Sequence, residues 1–249
     1  MAPIINTNDE RAVKILDAAG VKYNLVQPVQ SLVAAVQKPV RGKDYILLDR
    51  EHQKGNYSQI DLLVPFERSH LNERWTDCTT PQLLAIDRGY MPTIRMYVDF
   101  LKLIKSGKSF DGDGRKINPA RLRELYEEIA AVRSPWRGEH LDAKFGSGVI
   151  TYHLIEKDGS ARPVTESLGD CLMENKLPGV DINSLLRTAN KVGLPTSKTK
   201  SGSLYFWHPR ENAVAGFDAD SDRAVLICGR DPVIRDSALG VRVARKKLE

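Results

Sequence analysis

Acidic side chains near the C-terminal end offer the most suggestive spacing for chemistry. Asp218, Asp220 and Asp222 alternate with other residues. On one strand their carboxylates would point to the same face at intervals of roughly 6 to 7 Å. That separation is too wide for three carboxylates alone to share one cation. We therefore interpret the three aspartates as an exposed acidic stripe and predict no metal site there.

The other candidate ligands and nucleophiles show no catalytic or metal-binding spacing. Five histidines fall on separate predicted elements, without HxH or HExxH spacing: His52, His70, His140, His153 and His208. Three cysteines lie far apart, without a CxxC pair: Cys78, Cys171 and Cys228. This pattern favours buried thiols in a reducing environment. Phosphate-binding glycine loops and the GxSxG elbow are missing. We predict no cofactor and find no positive reason to assign an enzymatic activity.

Composition allows a packed core and gives little support for a nucleic-acid or membrane partner. The chain has 249 residues and 41% hydrophobic content, enough for one large or two small domains. Lys and Arg number 37 against 32 acids, a net charge of +5. The basic residues form no run interleaved with aromatics, so nucleic acid is an unlikely partner. Neither a signal-peptide pattern nor an apolar run of membrane-spanning length is visible, and no localisation is assigned.

Patterning predicts an α+β protein with a small α+β part over residues 1–80 and a larger part over residues 81–249. The predicted elements of the first part are a helix over 8–19, strands over 21–26 and 45–49, and an apolar run over 59–66. The predicted elements of the second part are a helix from Met91-Pro92 to about Lys105, a helix after Asn118-Pro119, a strand over 148–155, a short helix within 183–192, and loops over 162–178 and 194–203. Helices followed by short strands favour α+β over a βαβ repeat.

The stretch from Leu204 to Arg245 organises the second part, because residues 217–230 alternate with a period of two. One set is small or apolar, with Phe217, Leu226 and Cys228 among its members. The other set mixes acids and an arginine with Val225 and Ile227. Neighbouring side chains on a strand point to opposite faces. One face is therefore predicted to be core, and the mixed face is either a binding surface or the second side of a buried strand.

Several strings in this region resemble a known family. They are Ala238-Leu-Gly-Val-Arg-Val-Ala-Arg245, Cys228-Gly-Arg-Asp-Pro232, Trp207, Trp136-Arg-Gly-Glu-His-Leu-Asp-Ala-Lys-Phe145 and Gly193-Leu-Pro195. Over roughly residues 130–245 the chain resembles C-type-lectin-fold domains of formylglycine-generating enzymes and of variable proteins of diversity-generating retroelements. Within that set it is most similar to the archaeal variable proteins. There a fixed framework, here matched by Trp207, Phe217, Ser221, Leu226, Cys228 and Ser237 to Arg242 among others, alternates with positions rewritten by adenine-directed mutagenesis.

The resemblance implies a receptor-like display protein in which a rigid C-type-lectin-like base carries a hypervariable face. The implied ligand is a protein or another cell-surface molecule. The positions that the resemblance assigns to ligand binding are Phe206, His208, Asn212, Asp218, Asp220, Asp222, Arg223, Val225, Ile227, Gly229, Val233, Ile234 and Arg235.

Two alternatives remain open on the sequence. A formylglycine-generating-type oxidase shares the terminal motif, but that family needs a cysteine pair for copper, and Cys171 and Cys228 are well separated in the sequence. A basic nucleic-acid-binding protein is supported by charge alone and would lose affinity steeply with salt.

Overall fold

The computed structural model describes residues 42–199 and 202–248, except the side chains of residues 176–178, and the backbone of two short N-terminal strands. These strands, β1 (Ile4–Asn6) and β2 (Asn24–Val26), pair in parallel. The chain divides into two compact units, Met1–Pro39 and Val40–Glu249. The helix predicted over residues 8–19 lies outside the described residues. The division after residue 39 differs from the boundary predicted at residue 80.

A four-stranded antiparallel sheet brings the C-terminal end of the chain against residues 45–90. Its strands are β3 (Tyr45–Leu48), β4 (Leu62–Pro65), β5 (Gly89–Tyr90) and β14 (Ala244–Lys246), in the order β3-β4-β14-β5. The strand predicted over residues 45–49 corresponds to β3. Because β14 lies between β4 and β5, strands from both sides of position 80 share one sheet with the C-terminal strand.

Four α-helices lie within the described residues: α1 (Thr80–Asp87), α2 (Ile94–Lys105), α3 (Pro119–Ala130) and α4 (Ile182–Thr188). The Thr93 hydroxyl caps α2 by accepting the Met96 N–H at 3.1 Å. Asn118 caps α3 by accepting the Ala120 N–H at 2.9 Å, and Pro119 takes the first position, where a missing N–H costs nothing. The helix predicted from Met91-Pro92 to about Lys105 is α2, the helix predicted after Asn118-Pro119 is α3, and α4 matches the short helix predicted within 183–192.

An eight-stranded sheet forms the rest of the unit. Its strands are β6 (Arg137–Phe145), β7 (Val149–Ile155), β8 (Ala161–Ser167), β9 (Lys176–Val180), β10 (Leu204–Trp207), β11 (Val214–Ala219), β12 (Ala224–Arg230) and β13 (Leu239–Gly240). The strand order is β8-β7-β6-β11-β12-β10-β9, and β13 pairs with β6. Helices and mostly antiparallel strands occupy separate parts of the unit, which is α+β as the sequence predicts.

The prediction of a loop over residues 162–178 is wrong for much of that range. Most of its first half is β8, which pairs with β7 from Ile155↔Ala161 to Val149↔Ser167, and β9 begins near its end. A turn at Gly159, with φ of +89°, returns the chain against β7. The side chains of β8 are exposed or half-buried and carry no clear hydrophobic period. Pairing with β7, rather than its own pattern, makes this segment a strand.

Helix α2 covers one face of the eight-stranded sheet. The Tyr97 ring lies 5.3 Å from the Phe217 ring, measured between centroids. Phe206, Leu226 and Cys228 belong to the same buried cluster. Burying an aromatic or aliphatic side chain of this size contributes about 1.5 to 3 kcal/mol, so this face anchors the fold and leaves the opposite face of the sheet for other contacts.

A buried ion-pair network fixes the end of the chain to the sheet. Glu139 Oε1 accepts a hydrogen bond from Arg242 Nη2 at 2.8 Å and also pairs with Arg137. Arg242 Nη1 donates to the Pro65 carbonyl at 2.9 Å. Burial alone would raise the pKa of Glu139, but the charges of Arg242 and Arg137 outweigh it and lower the pKa. Arg242, the last residue of the expected framework, is fully buried and joins β6 to the end of β4.

Candidate functional site

Strand β12 separates a buried side from an outer side. Leu226 and Cys228 lie in the core, whereas Val225, Ile227 and Gly229 point to the opposite side. The alternation predicted for β12 is therefore present. Adjacent strands continue both sides, since β10 pairs in parallel with β12 and β11 pairs antiparallel with it.

Half of the outer side is open, on β10, β12 and the residues next to them. Trp207 pairs with Ile227 and is 37% exposed. The Arg223 guanidinium lies 3.3 Å from the centre of the Tyr205 ring, a cation–π contact. The aliphatic part of Arg210 lies across Gly229, where an added Cβ would meet it at 3.2 Å. We call this surface the open strip; it consists of Tyr205, Trp207, Arg210, Arg223, Ile227 and Gly229.

The other half of the outer side, on β11 and β6, is covered. Asp218 and Arg230 form a buried ion pair there, and His140 is completely buried. Residues 231–238 connect β12 to β13, which pairs with β6. Because β11 lies between β12 and β6, this connection crosses β11. An ion pair of 3.2 Å between Arg235 and Asp77 holds it against the segment before α1.

Burial is the largest cause of the pKa shifts in the covered half of the sheet. Burial raises the pKa of Asp218, and the nearby Arg230 offsets only part of that shift. Burial lowers the pKa of His140 to about 4, and the charge of Arg230 adds to the shift. His140 is therefore neutral at physiological pH.

Phe206 does not lie on the exposed face predicted for it. Its side chain is 0% exposed, and Trp207, expected in the framework, is on the outer side. The register explains the exchange, because Phe206 pairs with Leu226 and Trp207 with Ile227. Paired residues of neighbouring strands point to the same side of the sheet. The side predicted for each of these two residues is thus reversed.

Asp218 and Val225 are on the predicted side of the sheet but are not exposed. Each is 7% exposed. They pair across β11 and β12, with Tyr205 next to Val225 on β10. The side chains of Trp136 and Leu239 lie beside Asp218 and help to close this part of the surface.

Asp220 and Asp222 are exposed, but they form no stripe with Asp218. Strand β11 ends at Ala219 and β12 begins at Ala224, so both aspartates lie in the hairpin between them. The Asp220 N–H bonds to the Arg223 carbonyl at 3.0 Å and closes the turn. Ser221, expected in the framework, is exposed in the same hairpin.

The remaining predicted positions lie in loops around the sheet. His208 is half-buried, and its Nδ1 lies 2.7 Å from Asn175 Oδ1. Asn212 is exposed in a turn, with φ of +63°. Val233, Ile234 and Arg235 are exposed on the connection that crosses β11. The structure thus brings Arg223, Ile227 and Gly229 together on the open strip and places these five beside the sheet.

Sequence reasoning missed Tyr205, Trp207 and Arg210 as surface residues. Tyr205 and Trp207 alternate with the apolar Leu204 and Phe206, a signal that was available, but the short run gives no sign of which pair faces inward. Arg210 lies in the loop after β10, and its aliphatic part lies across Gly229 of β12.

The cysteines are buried free thiols. Cys171 and Cys228 belong to the same hydrophobic cluster, whereas Cys78 lies in a second cluster. Burial raises the pKa of Cys171 to about 11 and that of Cys228 well above its ordinary value, and the charge of Cys171 adds to the shift at Cys228.

Other features bear less directly on the open strip. A small cavity of about 10 Å³, water-sized, is lined by residues that include Arg95, Asp142 and Tyr152, none of them on the strip. Within residues 42–199 and 202–248, no group of three or more His, Cys, Asp or Glu side chains is placed to hold a metal ion. No helix in this part of the chain has the length and apolar character needed to cross a membrane.

Comparison of the chain with protein-family models, with curated proteins and with solved structures finds no significant match.

Proposed function

We propose that the protein is a ligand-binding display protein and that the open strip, with the loops beside it, is its recognition surface. The observation that carries this proposal is the exposure of Trp207 beside Ile227, on strands whose opposite side is fully packed. The core leaves 37% of this large aromatic side chain exposed on a rigid sheet. The side chain is well placed to bury area against a partner.

The composition of the strip supports a protein or cell-surface ligand. Trp, Tyr and Arg are the residue types that carry most binding energy in protein interfaces. Tyr205 and Arg223 hold each other in place through their stacked contact. Less side-chain freedom is then lost on binding, which favours affinity.

The edges of the eight-stranded sheet favour recognition through its face. The edge strands β8 and β9 contain Pro163 and Pro178. Proline has no N–H to donate and discourages the addition of another strand. A partner is therefore expected to meet the face of the sheet and not to extend it.

We further propose that the fold is C-type-lectin-like and that a retroelement diversifies Arg223, Ile227 and Gly229 of the open strip. Division of β12 into a packed set and an outer set supports this, as does the buried Arg242 in the segment expected to be fixed. The proposal predicts a reverse transcriptase gene beside this gene and a near-copy of its 3′ end that differs at adenines. A locus without both would contradict the retroelement and leave the binding face to be tested separately.

A pair of libraries tests the binding face. One randomises the six residues of the open strip; the matched library randomises six core residues, Leu204, Phe206, Phe217, Ala224, Leu226 and Cys228. Both are displayed on cells, treated with protease and selected for binding to labelled streptavidin. We expect most open-strip variants to resist protease and to yield binders, and the core library to lose resistance. Equal loss in both libraries, or no binders from the open strip, would contradict the proposal.

A formylglycine-generating-type oxidase remains the second candidate because Cys171 and Cys228 share one core cluster. Copper(I) titration distinguishes it from the display protein. Tight one-to-one binding that disappears in both Cys171→Ser and Cys228→Ser would favour the oxidase. The display proposal expects no such binding.

A further inference from the structure

Three buried polar atoms without a hydrogen-bond partner meet on the covered half of the sheet. They are His140 Nδ1, Asp218 Oδ1 and Arg230 Nη1. Each parent residue is at most 7% exposed. Leaving one such atom unpaired costs about 1 to 3 kcal/mol. Three of them in one place therefore point to a shared partner.

Strand register places His140 and Asp218 side by side, and the Arg230 guanidinium lies over Gly216 beside them. His140 on β6 lies opposite Gly216 on β11, and Asp218 lies opposite Gly138. His140 and Asp218 are thus diagonal neighbours on one side of the sheet, about 7 Å apart at their Cβ atoms. An added Cβ at Gly216 would overlap the Arg230 guanidinium, and one at Gly138 would overlap Asp218 Oδ1. Because Gly216 and Gly138 have no side chains, the Arg230 guanidinium and the Asp218 carboxylate have room to lie against the sheet.

The bonds already made define what the free atoms require. His140 Nε2 lies 3.2 Å from the Glu73 carbonyl oxygen, which only accepts, so Nε2 carries the ring proton and Nδ1 is an acceptor. Burial and Arg230 lower the pKa of His140 to about 4, which keeps the ring neutral. Asp218 Oδ1 is a second acceptor. Arg230 Nη1 is a donor because a guanidinium carries only N–H groups, and Nη2 donates to Asp218 Oδ2.

We infer that His140 Nδ1, Asp218 Oδ1 and Arg230 Nη1 together bind one buried water molecule. A water oxygen accepts the Arg230 hydrogen while its two hydrogens go to the two acceptors, and three bonds are typical of buried water. A metal cation meets repulsion from Arg230. An anion or a carbonyl has no hydrogen for the acceptors, and an ammonium or amide nitrogen cannot accept. Each free atom has under 1 Å² of exposed surface, so the occupant is trapped water and not a ligand hydroxyl.

The water completes a polar network in the covered half of the sheet. A fully satisfied buried polar network holds its members in one arrangement. Asp218 and Arg230 then belong to the rigid framework of the domain, although Asp218 lies on the side of the sheet that was expected to vary. This inference does not depend on the proposed function, because it concerns the support of the face and not its ligand.

Nuclear magnetic resonance on the unaltered protein tests the inference first. Long-range ¹H–¹⁵N correlation should show His140 with its proton on Nε2. The ring hydrogen between the two nitrogens should show an Overhauser effect to a long-lived water. A proton on Nδ1, or no water cross-peak at this ring hydrogen, would overturn the inference. Neither measurement requires a variant to fold.

A substitution at His140 provides a second test of the buried water. Oxygen-17 relaxation dispersion counts long-lived waters, and His140→Phe should lose one relative to the unaltered protein. His52→Phe, at a largely exposed histidine, is the control and should lose none. An unchanged count in folded His140→Phe would contradict the site.

Discussion

Asp218 and Asp220 are two positions apart, yet their surroundings differ completely. Asp218 is buried and pairs with Arg230, itself buried. Asp220 is exposed in the hairpin, where its carboxylate accepts the Ser221 N–H at 2.6 Å. Removing the first carboxylate leaves a buried arginine without its partner, whereas the second is replaced by water.

We expect Asp218→Ala to lower the free energy of unfolding by about 3 to 5 kcal/mol, the usual cost of breaking a buried ion pair. Asp220→Ala is the matched control and should change it by less than about 0.5 kcal/mol. Urea denaturation measures both. Similar losses in the two variants would show that Asp218 is not held as described.

His153 provides a pH-dependent contribution to stability. Its Nδ1 lies 3.0 Å from both carboxylate oxygens of Asp142. Burial alone would lower the pKa of His153, but the hydrogen bond and charge of Asp142 outweigh it and raise the pKa. The stabilisation is therefore complete below the unfolded pKa of about 6.5 and is lost as pH rises through the higher folded pKa.

The comparison of His153→Gln with the unaltered protein isolates this contribution. Between pH 6 and pH 8.5, the difference in unfolding free energy should be largest at the acidic end and should shrink as pH rises. A difference that stays constant with pH would exclude a protonated His153 bound to Asp142.

At the scale of elements, two glycines on the outer side have opposite roles. Gly216 on β11 lies beneath the Arg230 guanidinium and near the Glu139 carbonyl oxygen. Gly229 on β12 lies beneath the flexible, exposed Arg210. We expect Gly216→Ala to cost about 1 to 3 kcal/mol through overpacking.

Gly229→Ala is the matched substitution, because Arg210 is free to move aside, and it should change stability by less than about 0.5 kcal/mol. Thermal denaturation of the two variants provides the comparison. Equal shifts in Tm would mean that the open and covered halves do not differ in packing.

Local signals in the sequence were sufficient for α2, α3, β3 and β7. Capping or helix-start residues and helical periods lie within or beside α2 and α3, and apolar, period-two stretches lie within β3 and β7, so no distant contact is needed to find them. The alternation of β12 was visible for the same reason. The orientation of β10 was not, because only its pairing with β12 decides whether Phe206 or Trp207 faces inward.

Exposure was the part of the site that periodicity could not predict. An alternation with period two predicts on which side of the sheet a residue lies. It does not predict whether other parts of the chain cover that side. Asp218 and Val225 are on the predicted side and are nevertheless buried, and the side chains of Trp136 and Leu239 lie beside Asp218. Such coverage depends on residues far away in the sequence.

At the scale of the whole unit, the C-terminal end closes the fold. Strand β14 lies between β4 and β5, and Arg242 joins Glu139 to the end of β4. The predicted boundary at residue 80 separates segments that pair in one sheet. A pairing between residues 62–63 and 245–246 leaves no local trace in the sequence.

Strand β12 has one side that is packed in the core, and we propose that its outer side is left for a ligand. Leu226 is 1% exposed in the core, and its neighbour Ile227 is half-buried on the open strip. A carboxylate at position 226 would be buried without a partner, whereas one at position 227 reaches solvent.

Denaturation of Leu226→Asp and Ile227→Asp tests this claim most directly. We expect Leu226→Asp to lose more than about 3 kcal/mol, a large share of the total stability of about 5 to 15 kcal/mol typical of a folded domain. Ile227→Asp should still unfold cooperatively, with a loss below about 1 kcal/mol. Equal destabilisation of the two variants would contradict the division of β12 into a packed side and a binding side.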